Sequence, residues 1–132
     1  KLVFPDISSI PRFYFDTDGK IVNGNCYWIV AKNEKETELL MLIQGVANSK
    51  LMTKYHDLVF NNKLYSGKRR YITQYVEKYP LPDINSPSST EIISIVRELN
   101  KSSNILDISK LENLLEISVA KAFSVDPVFN LD

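Results

Sequence analysis

The sequence predicts an α+β fold, a small antiparallel sheet packed with helices and followed by a C-terminal helix pair. Three observations lead there. The first third is rich in aromatic and β-branched residues broken by Asp-Gly and Asn-Gly turns, whereas apolar residues recur at helical spacing from residue 33 onward. The third observation is a polar break at Asp83-Ile84-Asn85-Ser86-Pro87, which divides a core, residues 1–82, from a helix pair over 83–132 packed on it.

Taken in order, Lys1 to Ile10 reads as an apolar lead-in up to Pro5, then as turn through Asp6, Ser8 and Ser9. Arg12 to Phe15 is expected as a strand beginning just after Pro11, where a missing N–H is tolerated. Asp16-Thr17-Asp18-Gly19 is expected as a hairpin turn, because Asp side chains bond nearby backbone groups and Gly accepts positive φ. Ile21-Val22 and Cys26 to Ala31 supply the returning strands, with a second turn or bulge at Asn23-Gly24. Phe13, Phe15, Tyr27 and Trp28 are assigned to the sheet core.

Asn33 and Glu36 have capping-box spacing ahead of a helix whose apolar face is Leu39, Leu40, Leu42, Ile43 and Val46. A second helix opens at Asn48 or Ser49 and runs through Leu51, Met52, Tyr55, Leu58 and Val59, with the row Leu51, Tyr55, Leu58 toward the core. Ser88 with Glu91 is expected to cap a helix bearing Ile92, Ile95, Val96 and Leu99. Asp107 is expected to cap the last helix, apolar along Leu111, Leu114, Leu115, Ile117, Val119 and Phe123 and stopped by Pro127.

At 132 residues and 15.1 kDa the chain suits one core, and no apolar run reaches the length that spans a bilayer. Opening at Lys1 on an apolar segment, it reads as a piece of a longer polypeptide whose N-terminal partner domain is missing. One Cys and one His exclude an intrachain disulfide and a four-ligand zinc site, and a reducing, cytoplasmic setting fits. His56 lacks a nucleophile and an orienting acid in any motif, so it reads as a surface or hydrogen-bonded structural residue. Asp16 and Asp18 invite a metal reading but sit more simply in a turn, and no metal or catalytic residue is assigned.

Net charge is zero, but residues 1–80 carry 12 cations and 8 acids while residues 81–132 carry 4 and 8. Within Asn48 to Pro82 the excess is sharper: Lys50, Lys54, Lys63, Lys68, Arg69, Arg70 and Lys78 face only Asp57 and Glu77, with Tyr55, Tyr65, Tyr71, Tyr75 and Tyr79 between them. Cations neutralise phosphates and release counterions, and tyrosines offer faces to bases, so this stretch has the footprint of a nucleic-acid binder. Lys50 and Lys54 fall on one helix face, facing either phosphate or solvent. Ser66-Gly67-Lys68-Arg69-Arg70 is the sharpest candidate. Its Gly permits a tight turn, and three consecutive cations lack a nearby acid before Glu77, leaving arginine forks for guanine or phosphate.

The helix opening at Asn48-Ser49, the turn Ser66-Gly67-Lys68, the run Tyr71 to Tyr79 and the close Pro80-Leu81-Pro82 together resemble the TaqI-like C-terminal specificity domain. Phe4-Pro5-Asp6-Ile7-Ser8, Arg12-Phe13-Tyr14-Phe15, Asp18-Gly19 and Asn25-Cys26-Tyr27 extend the resemblance, as does the final helix pair. Phe123-Ser124-Val125 departs from the family's aromatic-Gly-Leu close. The resemblance implies the target-recognition part of an N6-adenine DNA methyltransferase or a single-chain restriction-modification enzyme, with duplex DNA as partner. It also implies an N-terminal methyltransferase domain holding S-adenosylmethionine, for which this chain carries no glycine-rich strand-turn-helix and no adenine-positioning Asn-Pro-Pro-aromatic motif. Expected DNA contacts are Lys50, Lys54, Lys63, Ser66, Gly67, Lys68, Arg69, Arg70 and Tyr71. The alternative is a protein-interaction module that docks through its C-terminal helices.

Overall fold

The apolar lead-in forms the middle of the sheet. In the computed structural model, which describes residues 1–19, 25–60, 64 and 67–131, β1 (Leu2–Pro5) lies between β3 (Tyr14–Phe15) and β4 (Cys26–Ile29), antiparallel to both. A second, two-stranded ladder joins β2 (Ile7–Ser8) to β5 (Arg69–Arg70). This corrects two expectations. Residues 1–5 are not merely a lead-in, and β3 does not form a hairpin with β4, since both flank β1. The physical reason is burial: alternation turns Leu2 and Phe4, 0% and 1% exposed, onto the helices, and a strand so apolar gains most in the centre of the sheet. The turn after β3 exists nonetheless, with the Asp18 N–H donating to Asp16 Oδ1 at 3.1 Å and Gly19 at φ +69°. The strand and turn expected over Ile21 to Gly24 lie outside the described residues.

A single 3-10 turn, Glu34–Glu36, leads into α1 (Thr37–Asn48). The expected capping box is replaced: Asn33 makes no side-chain cap, and Glu36 Oε2 accepts instead from the N–H of Lys32, one residue ahead of Asn33, at 2.8 Å. Helix α1 is apolar on two faces and divides the core. Leu40 and Ala47 join Leu2, Phe4, Phe13, Tyr71 and Val76 on the sheet side, whereas Leu42 and Val46 join Met52, Ile92, Val96, Leu115 and Val119 on the other. Gly45 lets α1 approach the helix that carries Ile92 and Val96 closely, since a Cβ there would meet their methyls at 2.8 Å.

Ser49 breaks the chain between α1 and α2 (Lys50–Phe60), and its hydroxyl accepts from the Met52 N–H at 3.1 Å. Asn48 clamps the segment ahead of β3 through two bonds, Phe13 N–H to Oδ1 at 2.8 Å and Nδ2 to Phe13 O at 2.9 Å. The buried face of α2 is Met52, Thr53 and His56. Leu58, expected inside, is 83% exposed, because the helix turns Met52 and His56 inward, one position after Leu51 and Tyr55. After a short α3 (Thr73–Val76), α4 (Pro87–Lys101) starts earlier than expected: Ser86, not Ser88, is its cap, accepting from the Ser89 N–H, with Pro87 at the first helical position. Helix α5 (Ile105–Ala122) is capped by Asn104 rather than Asp107, its side chain accepting from the N–H groups of Leu106 and Asp107. It ends in a six-residue closure, Val125 N–H to Ala120 O, with Ser124 at φ +56°. Leu114 and Ile117, placed on the apolar side by spacing alone, stand half exposed.

The α1 face, α4 and α5 thus share one apolar cluster with α2. A buried charge, next in sequence to Leu115 of that cluster, caps α2. The Glu116 carboxylate, 4% exposed, accepts from the Lys50 N–H through both oxygens, at 2.9 and 3.0 Å, at the start of α2. Burial raises its pKa above the ordinary carboxylate value, and the bonds from Lys50 only partly offset that rise. Between the unfolded and folded pKa values the native state holds the extra proton, so this group's contribution falls as pH rises through the window. Glu116→Gln is therefore expected to flatten the loss of stability as pH rises from the ordinary carboxylate range toward neutrality. Urea unfolding of both proteins across that range checks it; parallel curves would remove Glu116 as the cause.

Candidate nucleic-acid interface

Strand alternation sorts the basic turn. In β5 opposite β2, with Ser8 against Arg69 and Ile7 against Arg70, Arg69 points inward and Arg70 outward. Arg69 is 7% exposed, its Nε donating to Asp57 Oδ1 at 2.7 Å and its Nη2 to Asp57 Oδ2 at 2.9 Å, while Nη1 donates to the Ser9 carbonyl at 2.6 Å. Those bonds hold its pKa above the ordinary arginine value. The fork expected to read guanine is occupied by a carboxylate from α2. Arg70 is more loosely held, at 3.4 and 3.2 Å from the Asp6 carboxylate, and its side chain is 46% exposed. The expectation that these cations lack local acids is thus corrected: Asp57 and Asp6 are distant in sequence and adjacent in space.

Tyr71, also expected at the surface, is 1% exposed. It stands edge-on to Phe13 and 4.9 Å from the His56 ring, and its hydroxyl has no hydrogen-bond partner among the described residues. Burial pushes the phenol up to about 12 despite the nearby Arg69. His56 is wholly buried, ringed by Tyr71, Phe60, Tyr75 and Tyr79, with Nδ1 2.7 Å from the Tyr79 hydroxyl, which fits a hydrogen-bonded structural role. Apolar contact claims these tyrosines because a basic segment still needs an anchor to the core.

Of the remaining candidates, Lys54 and Lys68 are exposed, Lys50 is half buried beside the Glu116 cap, and Gly67 holds φ +70° with nothing among the described residues within 4 Å of where a Cβ would stand. Lys63 and Ser66 lie outside the described residues. Of the candidate contacts among the described residues, the exposed cations are therefore Lys54, Lys68 and the loosely paired Arg70. Sequence reasoning missed Asp57 and Asp6 as partners, and it placed Trp28 in the core although Trp28 is 53% exposed. Alternation carried the missing signal: with Tyr27 and Ile29 inward, Trp28 must face out. Among the described residues no cluster of His, Cys, Asp and Glu is placed to hold a metal ion, and no helix is long and apolar enough to cross a membrane.

No family model matches the chain. Over 127 residues, 96% of its length, it is 47% identical to the type II methyltransferase M.BanIII of Aneurinibacillus aneurinilyticus. The chain is similar to part of a type II methyltransferase. It spans 22% of that relative, about a fifth of its length.

Proposed function

We propose that this chain is the target-recognition domain of a restriction-modification N6-adenine methyltransferase. It grips duplex DNA while a catalytic domain elsewhere in a longer chain binds S-adenosylmethionine and transfers the methyl group. The observation that carries this reading is the 47% identity to a type II methyltransferase, confined to 22% of that protein. A segment of that size is suited to hold and orient DNA beside another fold. Lys54 and Lys68 then meet phosphates, and Lys50, Lys63 and Ser66 extend the same stretch. Arg70 exchanges its long, solvent-screened pair with Asp6 for a base edge or a phosphate. Gly67 gives backbone access, and Arg69 with Tyr71 positions the strand from within.

Anisotropy of a labelled duplex measures the reading. Affinity is expected to fall steeply between about 50 and 200 mM salt, and replacing Lys68 and Arg70 together by Ala to reduce the log–log salt slope by about 2. Binding insensitive to salt would defeat the proposal. A second reading has its own observation: Leu106, Leu114 and Ile117, 73%, 50% and 45% exposed, share one face of α5 at helical spacing. That stripe favours a helix pair docking on protein, and a docking module of this kind would associate with little salt dependence.

A further inference from the structure

We propose that the outer face of the three-stranded sheet is a stacking platform for unpaired DNA bases, with Trp28 and Tyr14 as its two plates. The inference rests on the DNA-binding reading and adds a site to it. The register places Tyr14 and Trp28 on either side of Val3, in one row across β3, β1 and β4. The neighbours of these two along their strands, Phe15, Tyr27 and Ile29, pack into the core, so alternation turns both rings away from the helices. They are 52% and 53% exposed, and Val30 beyond Trp28 is 62% exposed. With strands about 4.8 Å apart the two rings stand about 10 Å from one another, a span suited to two adjacent, splayed nucleotides.

Tyr14, Trp28 and Val30, half or more exposed on one sheet face, form an apolar patch of the kind that marks an interaction site. Charge around the face selects nucleic acid. Beyond Pro5 the same segment continues into β2, where exposed Ile7 lies beside Arg70 and near Lys68, and exposed Lys32 follows Val30 at the far end. A strand laid over the rings meets cations at both ends of its backbone, and the flat faces accept any base because every base has a π-face. Enzymes that modify a base within duplex DNA take it out of the stack, which leaves unpaired bases needing a partner surface. The platform supplies one.

Trp28 is the only tryptophan in the sequence, so its emission reports on this face directly. The chain is titrated with labelled oligothymidylate of about a dozen nucleotides, with a fully paired duplex and with a duplex carrying an unpaired bubble, reading label anisotropy and Trp28 emission together. Oligothymidylate and the bubble are expected to quench the emission while the paired duplex leaves it nearly unchanged. Tyr14→Ala is expected to weaken single-strand binding roughly tenfold without changing the circular dichroism of the fold. DNA that binds by anisotropy with unchanged emission overturns the platform and leaves the DNA reading standing. Equal quenching by paired duplex, or emission that changes with protein concentration alone, also overturns it, the latter by assigning the face to a second copy of the chain. Failure of every DNA to bind defeats the DNA reading itself.

Discussion

Leu115→Asp is expected to cost about 4 kcal/mol and to lower Tm by about 10 °C or more. The side chain is 4% exposed and belongs to the cluster of Leu42, Val46, Ile92, Val96 and Val119, so α1, α4 and α5 all lose a contact when it changes. A carboxylate there would face the close α1–α4 approach at Gly45, where Leu115 Cδ1 already lies 3.3 Å from the position of a Cβ. No cation among these neighbours could pair with it. The adjacent Leu114, half exposed, supplies the control: Leu114→Asp is expected to stay within about 0.5 kcal/mol of wild type. Thermal unfolding of the two variants decides the matter. Equal melting temperatures would mean that α5 is a separate arm rather than part of the folding unit.

Arg69→Ala is expected to cost about 2–4 kcal/mol, through stability and not through base recognition. It would strip the Asp57 carboxylate of both its guanidinium bonds and the Ser9 carbonyl of its donor. Asp57→Ala should cost a similar amount, and the double variant less than the sum, with a coupling energy of about 1–3 kcal/mol. Denaturant melts give the cycle. On DNA, once the folded fraction is taken into account, Arg69→Ala should keep the preference for a cognate duplex while Arg70→Ala relaxes it. A fully stable Arg69→Ala protein that has lost its preference would return Arg69 to the DNA surface.

What could be read from the residues was what depends on local pattern. The α+β class and the helices near α1, α2, α4 and α5 follow from periodicity, and the turn at Asp16 to Gly19 from its side chains. Misreadings came where a distant partner decides. Spacing put Ser88 and Asp107 at helix starts, but Ser86 ahead of Pro87, and Asn104, offered caps one turn or less upstream. A run of cations looked unneutralised because Asp6 and Asp57 approach it only after folding. Tyr71 looked available for bases because nothing local shows that Phe13 and His56 close over it. The central place of β1 was likewise illegible, since strand order is set by packing against α1 rather than by sequence adjacency.

The inward anchoring of Arg69 makes the protein sensitive to chain length at that point in a way that ordinary loops are not. Because neighbours along a strand face opposite sides, inserting or deleting one residue just ahead of β5 would exchange the two faces, sending Arg69 into solvent and driving Lys68 and Arg70 toward Asp57 and the aromatic cluster. Substitutions at Lys68 or Arg70 can therefore accumulate and retune what is contacted while the scaffold holds. Changes in the number of residues there would cost the anchor and the display together.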